Sequence, residues 1–194
     1  SFRDLRREDY RRAIEFACVG MQFDKYVDDE RACRLYGRLF LYEELLGASQ
    51  VIAAYDGDRL EGLLLANMRG ESKACSSWAM RRFAAAGKRL VEAAETPYRL
   101  SCAKMLVELE KGIALDGEIG FLASDPDAWG NGIGSALVSE LARREKGKLI
   151  YLFTDSNCTY QFYDHKGFAR RQEQRVERGE GWGPFNCYLY TKRL

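Results

Sequence analysis

The stretch Gly117-Glu-Ile-Gly-Phe-Leu-Ala-Ser-Asp-Pro-Asp-Ala-Trp-Gly-Asn-Gly-Ile-Gly134 decides how the chain is read. An apolar strand runs into a polar turn, and three alternating glycines then lead straight into Ser135-Ala136-Leu137-Val138. Strand, glycine loop and helix start in that order make a seat for an anionic group. The first N–H groups of a helix point outward unpaired, and the helix dipole favours negative charge at that end.

The bulk numbers bound what can surround this seat. With 194 residues, 46% hydrophobic and 12% aromatic, the chain suits one domain with a real core, spanning 1–194. Thirty basic against 29 acidic residues leave a net charge of +1. That balance argues against a nucleic-acid partner, which needs a sustained basic face. No apolar run approaches the ~20 residues of a membrane span and no secretory leader pattern opens the sequence, so no membrane partner and a cytoplasmic location are expected. The six cysteines (Cys18, Cys33, Cys75, Cys102, Cys158, Cys187) are scattered without a C-x-x-C pair. They read as small buried thiols in a reducing compartment, and no metal site is expected.

Taken in order, residues 1–10 offer a short strand and a polar turn, with Asp9 placed to cap a helix that turns Ile14, Phe16, Ala17 and Met21 inward. A second helical pattern runs from Asp28 to Leu46 through Cys33, Tyr36, Phe40 and Leu41, and stops at Gly47. Two apolar runs, 50–55 and 60–67, flank Asp56-Gly57-Asp58 and predict a hairpin. Residues 72–112 break the strand rhythm and predict a helical insertion of two helices hinged near Thr96-Pro97. It is too short for a core of its own and is treated as part of the domain. After the glycine loop, Ile133, Ala136, Leu137 and Leu141 share one helix face, and Leu149–Phe153 reads as a strand buried on both sides. Asn157–Lys166 predicts a helix behind the caps Thr154-Asp155-Ser156, and 168–177 and 185–192 predict two closing strands around a loop that holds Trp182. Mixed elements with a strand–helix–strand unit after a hairpin mean an α/β (α+β) sheet fold.

Taken alone, the glycines admit few readings. A nucleotide P-loop needs Lys-Ser/Thr after its last glycine, and here Gly134 is followed by Ser135-Ala136. The spacing G-x-G-x-G, late in the chain, also departs from the G-x-G-x-x-G of a dinucleotide fold. A plain glycine turn without a ligand stays open on these residues alone.

The surroundings go further. Strand, loop and helix resemble the acetyl-CoA-binding core of the GCN5-related N-acetyltransferases, whose loop runs Arg/Gln-x-x-Gly-x-Gly/Ala. Asn157-Cys-Thr-Tyr-Gln-Phe-Tyr-Asp-His-Lys-Gly-Phe168 resembles that family's aromatic helix, which ends in Tyr-x-x-x-Gly-Phe. The other elements fall in the family's order, apart from the 72–112 insertion between the third and fourth strands. The resemblance implies a mixed, mostly antiparallel twisted sheet flanked by helices, with acetyl-CoA as co-substrate. It implies that amides of Trp129, Gly130, Asn131, Gly132, Ile133, Gly134 and Ser135 cradle the pyrophosphate, and that Leu122 and Ala123 pair with the pantetheine arm. Two departures stand out: Trp129 replaces the usual Arg or Gln, and Asn131 stands where a basic residue is common. The phosphates would then depend on amides, the dipole and outside cations such as Lys166, with weaker coenzyme binding as the result.

The resemblance assigns Tyr163 as general acid for the leaving thiolate, since a phenol near ~10 is protonated at neutral pH and can donate to a thiolate near ~8.5. Glu118, on the strand leading to the thioester, is the candidate base, with Asp116 on the same face and ordered water as alternatives. Asn157 is expected to orient coenzyme or water, although its spacing to Tyr163 lets Ser156 be the equivalent. A cysteine nucleophile is rejected: the chain's single histidine, His165, lies seven residues beyond Cys158, a helical rise of ~10 Å. For the acceptor, Tyr36, Glu43, Glu44 and Trp182 would suit a small amine carrying positive charge. The expected function is therefore acetyl transfer from acetyl-CoA to an amine, directly in a ternary complex. A non-catalytic acyl-CoA-binding sensor or interaction module of the same fold is the alternative, other acyl donors are admitted, and a homodimer stays open.

Overall fold

The structure, a computed structural model, describes residues 1–23, 29–177 and 183–194, with main chain only for 88–96. Trp182 and Asp28 lie outside the described residues. The strands are β1 (Phe2–Arg3), β2 (Gln50–Asp56), β3 (Arg59–Met68), β4 (Gly117–Ser124), β5 (Leu149–Asp155), β6 (Ala169–Val176) and β7 (Phe185–Arg193). The helices are α1 (Tyr10–Gly20), α2 (Glu30–Gly47), α3 (Trp78–Glu110), α4 (Ile133–Arg144) and α5 (Gln161–His165).

Among the described residues these strands form one seven-stranded sheet, ordered β1-β2-β3-β4-β5-β7-β6. Neighbours are antiparallel except β4 and β5, which run parallel and pair only at Gly117↔Ile150 and Glu118↔Tyr151. Beyond Glu118 the two strands part. Asp116 fixes the point of divergence, because its carboxylate accepts the Leu149 amide at 2.7 Å while its own amide donates to the Leu149 carbonyl at 2.8 Å. That carboxylate is committed to the fold.

Period-two alternation places β2 and β3 residues on both faces of the sheet, and both faces are covered. Ile52, Leu64 and Ile119 meet Leu137 and Leu141 of α4, while Ala53, Leu63, Leu65 and Phe121 meet Phe16 of α1 and Leu41 and Leu45 of α2. Burying a Leu or Phe contributes about 1.5–3 kcal/mol, so these two clusters hold the half-sheet together. The α2 helix opens on Asp29, whose carboxylate accepts the Ala32 amide at 3.0 Å. Asp9 does not cap α1. Its carboxylate instead accepts from Arg6 and from the Tyr55 hydroxyl, both at 2.8 Å, and a 3₁₀ turn over Arg7–Asp9 starts the helix.

Two other expectations are corrected. The insertion contains one continuous helix, α3, with Pro97 inside it, rather than two hinged helices. An internal proline costs about 3 kcal/mol, and here docking at both ends holds the helix through it. Its first half packs on α2, with Phe83 edge-on to Tyr42 at 5.5 Å. Its second half lays Cys102 and Met105 on Tyr151, Phe185, Cys187 and Leu189. The helix expected over Asn157–Lys166 is reduced to Gln161–His165, because Asp155 accepts the Asn157 amide at 2.8 Å and bends 156–160 into turns. No helix among the described residues is long and apolar enough to cross a membrane.

Candidate active site

Where β4 and β5 separate, a cleft of about 1350 Å³ opens between them. β4 lines it along its whole free length, from Glu118 to Ser124. Its other edge is occupied by β3, through pairs such as Leu64↔Leu122 and Leu63↔Ala123. Among the described residues the edge facing the cleft has no strand partner past Glu118, so an extended ligand carrying amides can add there as a strand would.

At the end of β4 the chain enters the glycine loop. Gly130 (φ +86°) and Gly132 (φ +76°) both adopt the left-handed region, where a side chain is strained. Gly132 immediately precedes α4, and no side chain caps the helix. Ile133, Gly134 and Ser135 of its first turn line the cleft, and the amides at such an uncapped helix start suit an anion. The loop hangs on buried Asp125, whose carboxylate is gripped by Arg12 and Arg59 and accepts the Asp127 amide at 3.1 Å. Burial pushes Asp125 upward, but the bonds from Arg59 and the Asp127 amide and the two guanidinium charges bring it below the usual carboxylate value.

Of the expected coenzyme residues, Leu122, Ala123, Trp129, Gly130, Gly132, Ile133, Gly134 and Ser135 all line the cleft. Asn131 and Asn157 are exposed and do not line it. Ser156 is committed to β7, its hydroxyl accepting the Asn186 amide at 3.0 Å. Trp129 is 61% exposed, and its indole donates to the Ser124 carbonyl at 3.4 Å. Lys166 lies 5.9 Å from the centre of the Phe162 ring, which in turn abuts Gly134.

Across the cleft, Tyr163 sits in an aromatic nest, with ring centres 5.3 Å from Phe162, 5.4 Å from Phe168 and 5.9 Å from Tyr190. Its hydroxyl has no hydrogen-bond partner among the described residues. Burial, then the nearby Cys158, raises it above an ordinary phenol, so it is protonated at neutral pH. The Cys158 thiol is pushed up to about 12 by burial and by Asp155, which leaves it a poor nucleophile.

The remaining wall was only partly legible. Tyr36, Phe40, Glu43 and Glu44 of α2 reach the cleft, as their helical spacing allows. Sequence reasoning missed Tyr98 and Arg99, which α3 brings over from the insertion, and Phe23 after α1. Phe23 packs edge-on to Phe40 at 5.9 Å, and Phe40 to Phe121 at 5.6 Å, forming an aromatic row along this wall. Glu118 accepts the Tyr151 hydroxyl at 3.0 Å. Burial raises Glu118, and that hydrogen bond pulls the other way.

Comparisons with known proteins agree with this geometry. Residues 22–168 match the sequence model of the Acetyltransferase (GNAT) family. No curated protein matches the sequence significantly. Similar solved structures include the PaiA N-acetyltransferase of Thermoplasma acidophilum in complex with coenzyme A (15% identity, 100% of this chain and 98% of that one, TM-score 0.58). Another is Arabidopsis thaliana NAA60 with a bisubstrate analogue (15% identity, 99% and 96% covered, TM-score 0.54). The ribosomal-protein-S18-alanine N-acetyltransferase of Escherichia coli also aligns (11% identity, 98% and 91% covered, TM-score 0.51). At these identities the structures speak for the fold, and the family match carries the assignment: the chain belongs to the GNAT acetyltransferase family.

Proposed function

We propose that the protein moves an acetyl group from acetyl-CoA to the amine of a small, cationic acceptor, directly in a ternary complex. One observation carries this reading. The unpaired edge of β4, the uncapped start of α4 and Tyr163, whose hydroxyl has no hydrogen-bond partner among the described residues, all line one cleft. Pantetheine would lie along Leu122 and Ala123, and the pyrophosphate would sit on amides from Gly130 to Ser135. A main-chain N–H near Leu122 would face the thioester oxygen, an oxyanion contact worth about 3 kcal/mol in the transition state. Tyr163 would protonate the departing thiolate. The proton of the incoming amine needs a carboxylate or water at the far end of the cleft, where Glu118, at the amino end of the same strand, and the α2 carboxylates Glu43 and Glu44 gather. The aromatic row on the α2 side, ending at carboxylates and partly roofed by α3, supports a small cationic amine over a folded protein surface.

The test is a thermal-shift series with acetyl-CoA and longer acyl-CoAs, followed by thiol release against a panel of primary amines. Stabilisation by acetyl-CoA with amine-dependent thiol release is expected. Absence of any shift would remove the reading. A shift without turnover against any amine would instead favour a coenzyme-binding module, a reading for which the cation-free loop around Trp129 speaks.

A further inference from the structure

Gly120 stands unpaired in the β3–β4 ladder, between the pairs Ile119↔Ala66 and Phe121↔Leu65. A side chain at this bulge would collide with Glu44 Oε2, so the glycine lets a carboxylate from α2 lie directly against the β4 main chain. Behind the bulge is a second cavity of about 190 Å³, and Glu43, Glu44, Glu118 and Gly120 line both it and the main cleft. The two spaces meet at Glu44.

The two half-buried carboxylates at this junction differ in how they are engaged. Glu118 already accepts the Tyr151 hydroxyl. The Glu44 carboxylate has no hydrogen bond or ion pair among the described residues, although the residue borders both cavities. We propose that Glu44, rather than Glu118, takes the proton from the acceptor's ammonium group, and that the smaller cavity is the water-filled outlet for that proton. This rests on the acetyl-transfer reading above.

The charged and polar groups around Glu44 come from five elements. Its own helix supplies Glu43, which Arg99 of α3 holds at 3.2 Å. β4 supplies Glu118, and β5 reaches Glu118 through Tyr151. β3 presents the neutral Asn67, whose Oδ1 accepts from Lys73 Nζ at 2.6 Å at the rim of the smaller cavity. Burial, with the charges of Glu118 and Glu43 adding and Arg99 opposing, brings Glu44 up to about 7. A base so placed is half ionised near neutral pH, where proton transfer in both directions is most efficient. A polar cavity of this volume has room for several waters.

The protons balance as follows. The ammonium gives one proton to Glu44, and the freed nitrogen lone pair adds to the thioester carbonyl. The C–S bond then breaks. Sulfur takes a proton from Tyr163, and the second proton lost by nitrogen refills Tyr163. The Glu44 proton leaves to solvent, so one amide, one thiol and one proton are formed.

The probes are 2-phenylethylamine and 1,4-diaminobutane, with acetyl-CoA affinity measured calorimetrically. In Glu44→Gln, kcat/KM should fall at least 50-fold at pH 7 and recover about tenfold per pH unit toward pH 9 as free amine accumulates, with acetyl-CoA affinity within twofold of wild type. Glu118→Gln should retain the acid limb of the wild-type profile, moved toward lower pH because a charge that helps raise Glu44 is gone. A readout besides activity comes from Tm. A carboxyl raised in the folded state binds its proton more tightly there, so wild-type Tm should fall as pH rises from about 4.5 to 7, and Glu44→Gln should flatten that fall. Wild-type pH dependence and rate in Glu44→Gln, or transfer of the whole effect to Glu118→Gln, would overturn the proposal. A wild-type protein that binds no acetyl-CoA would instead bring down the underlying reading.

Discussion

Along β4, the glycine loop and the start of α4, one wall of the cleft comes from a single stretch of chain, Glu118–Ser124 and most of 128–135, with a free strand edge and an uncapped helix start. The opposite wall is assembled from side chains of α2 and α3. The first wall needs correct backbone angles: on either side of Asn131, Gly130 and Gly132 both hold left-handed angles, whatever side chains Trp129 and Asn131 carry. The second wall depends on which side chains arrive. Glu44, Glu43 and Arg99 come together only because α3 crosses from α2 to β7. A surface built of amides suits a ligand part that never varies, and a surface built of side chains suits one that does.

That contrast can be broken at several points, in order of expected effect. Tyr163→Phe removes the one hydroxyl proposed to act on sulfur. Its kcat should fall roughly 10²–10³-fold in thiol-release assays, with acetyl-CoA affinity unchanged by calorimetry. An unchanged kcat would move the acid elsewhere. Asp125→Asn strikes the foundation of the amide wall and should cost about 2 kcal/mol, or roughly 4–8 °C in Tm. Because the native Asp125 lies below its unfolded value, its contribution is complete at neutral pH and is lost as pH falls through the native value. The Tm gap between wild type and variant should therefore close in acid, and a gap independent of pH would deny the charge its role. Gly132→Ala forces a side chain into the left-handed region at about 1–2 kcal/mol. It should weaken acetyl-CoA about tenfold while sparing kcat at saturation, which a titration of rate against acetyl-CoA separates. Trp129→Arg should have the smallest effect. A cation restored beside the amides should tighten coenzyme about two- to fivefold at low salt and lose that gain as salt rises.

The same division explains what could be read before the structure was known. A strand, two left-handed glycines and a helix start follow one another in sequence, so these elements were legible in order, although Asn131, expected among the coenzyme residues, does not line the cleft. The hairpin closed by Gly57-Asp58 and the doubly buried β5 were legible for the same local reason. Tertiary competition defeated the rest. Asp9 and Asp155 carry good capping residues, yet Tyr55 and Arg6 claim the first, and a turn claims the second. Pro97 reads as a break, but both halves of α3 are pinned from outside the helix. Arg99 and Tyr98 gave no local signal at all, since their place in the cleft depends on how an insertion folds back over the sheet.

The insertion leaves and re-enters the sheet at one spot. Met68 and Gly117 are cross-strand partners, and the Arg69 amide donates to the Asp116 carbonyl at 2.8 Å. The segment between them is thus a detachable module whose two ends already meet in register. It can be exchanged for another of different length at little loop-closure cost, each doubling adding only about 0.6 kcal/mol. A replacement must still cover Tyr151, Cys187 and Leu189, which α3 now shields. Within that constraint, one cassette swap would replace Tyr98 and Arg99 on the wall proposed to face the acceptor and leave the glycine-loop wall untouched.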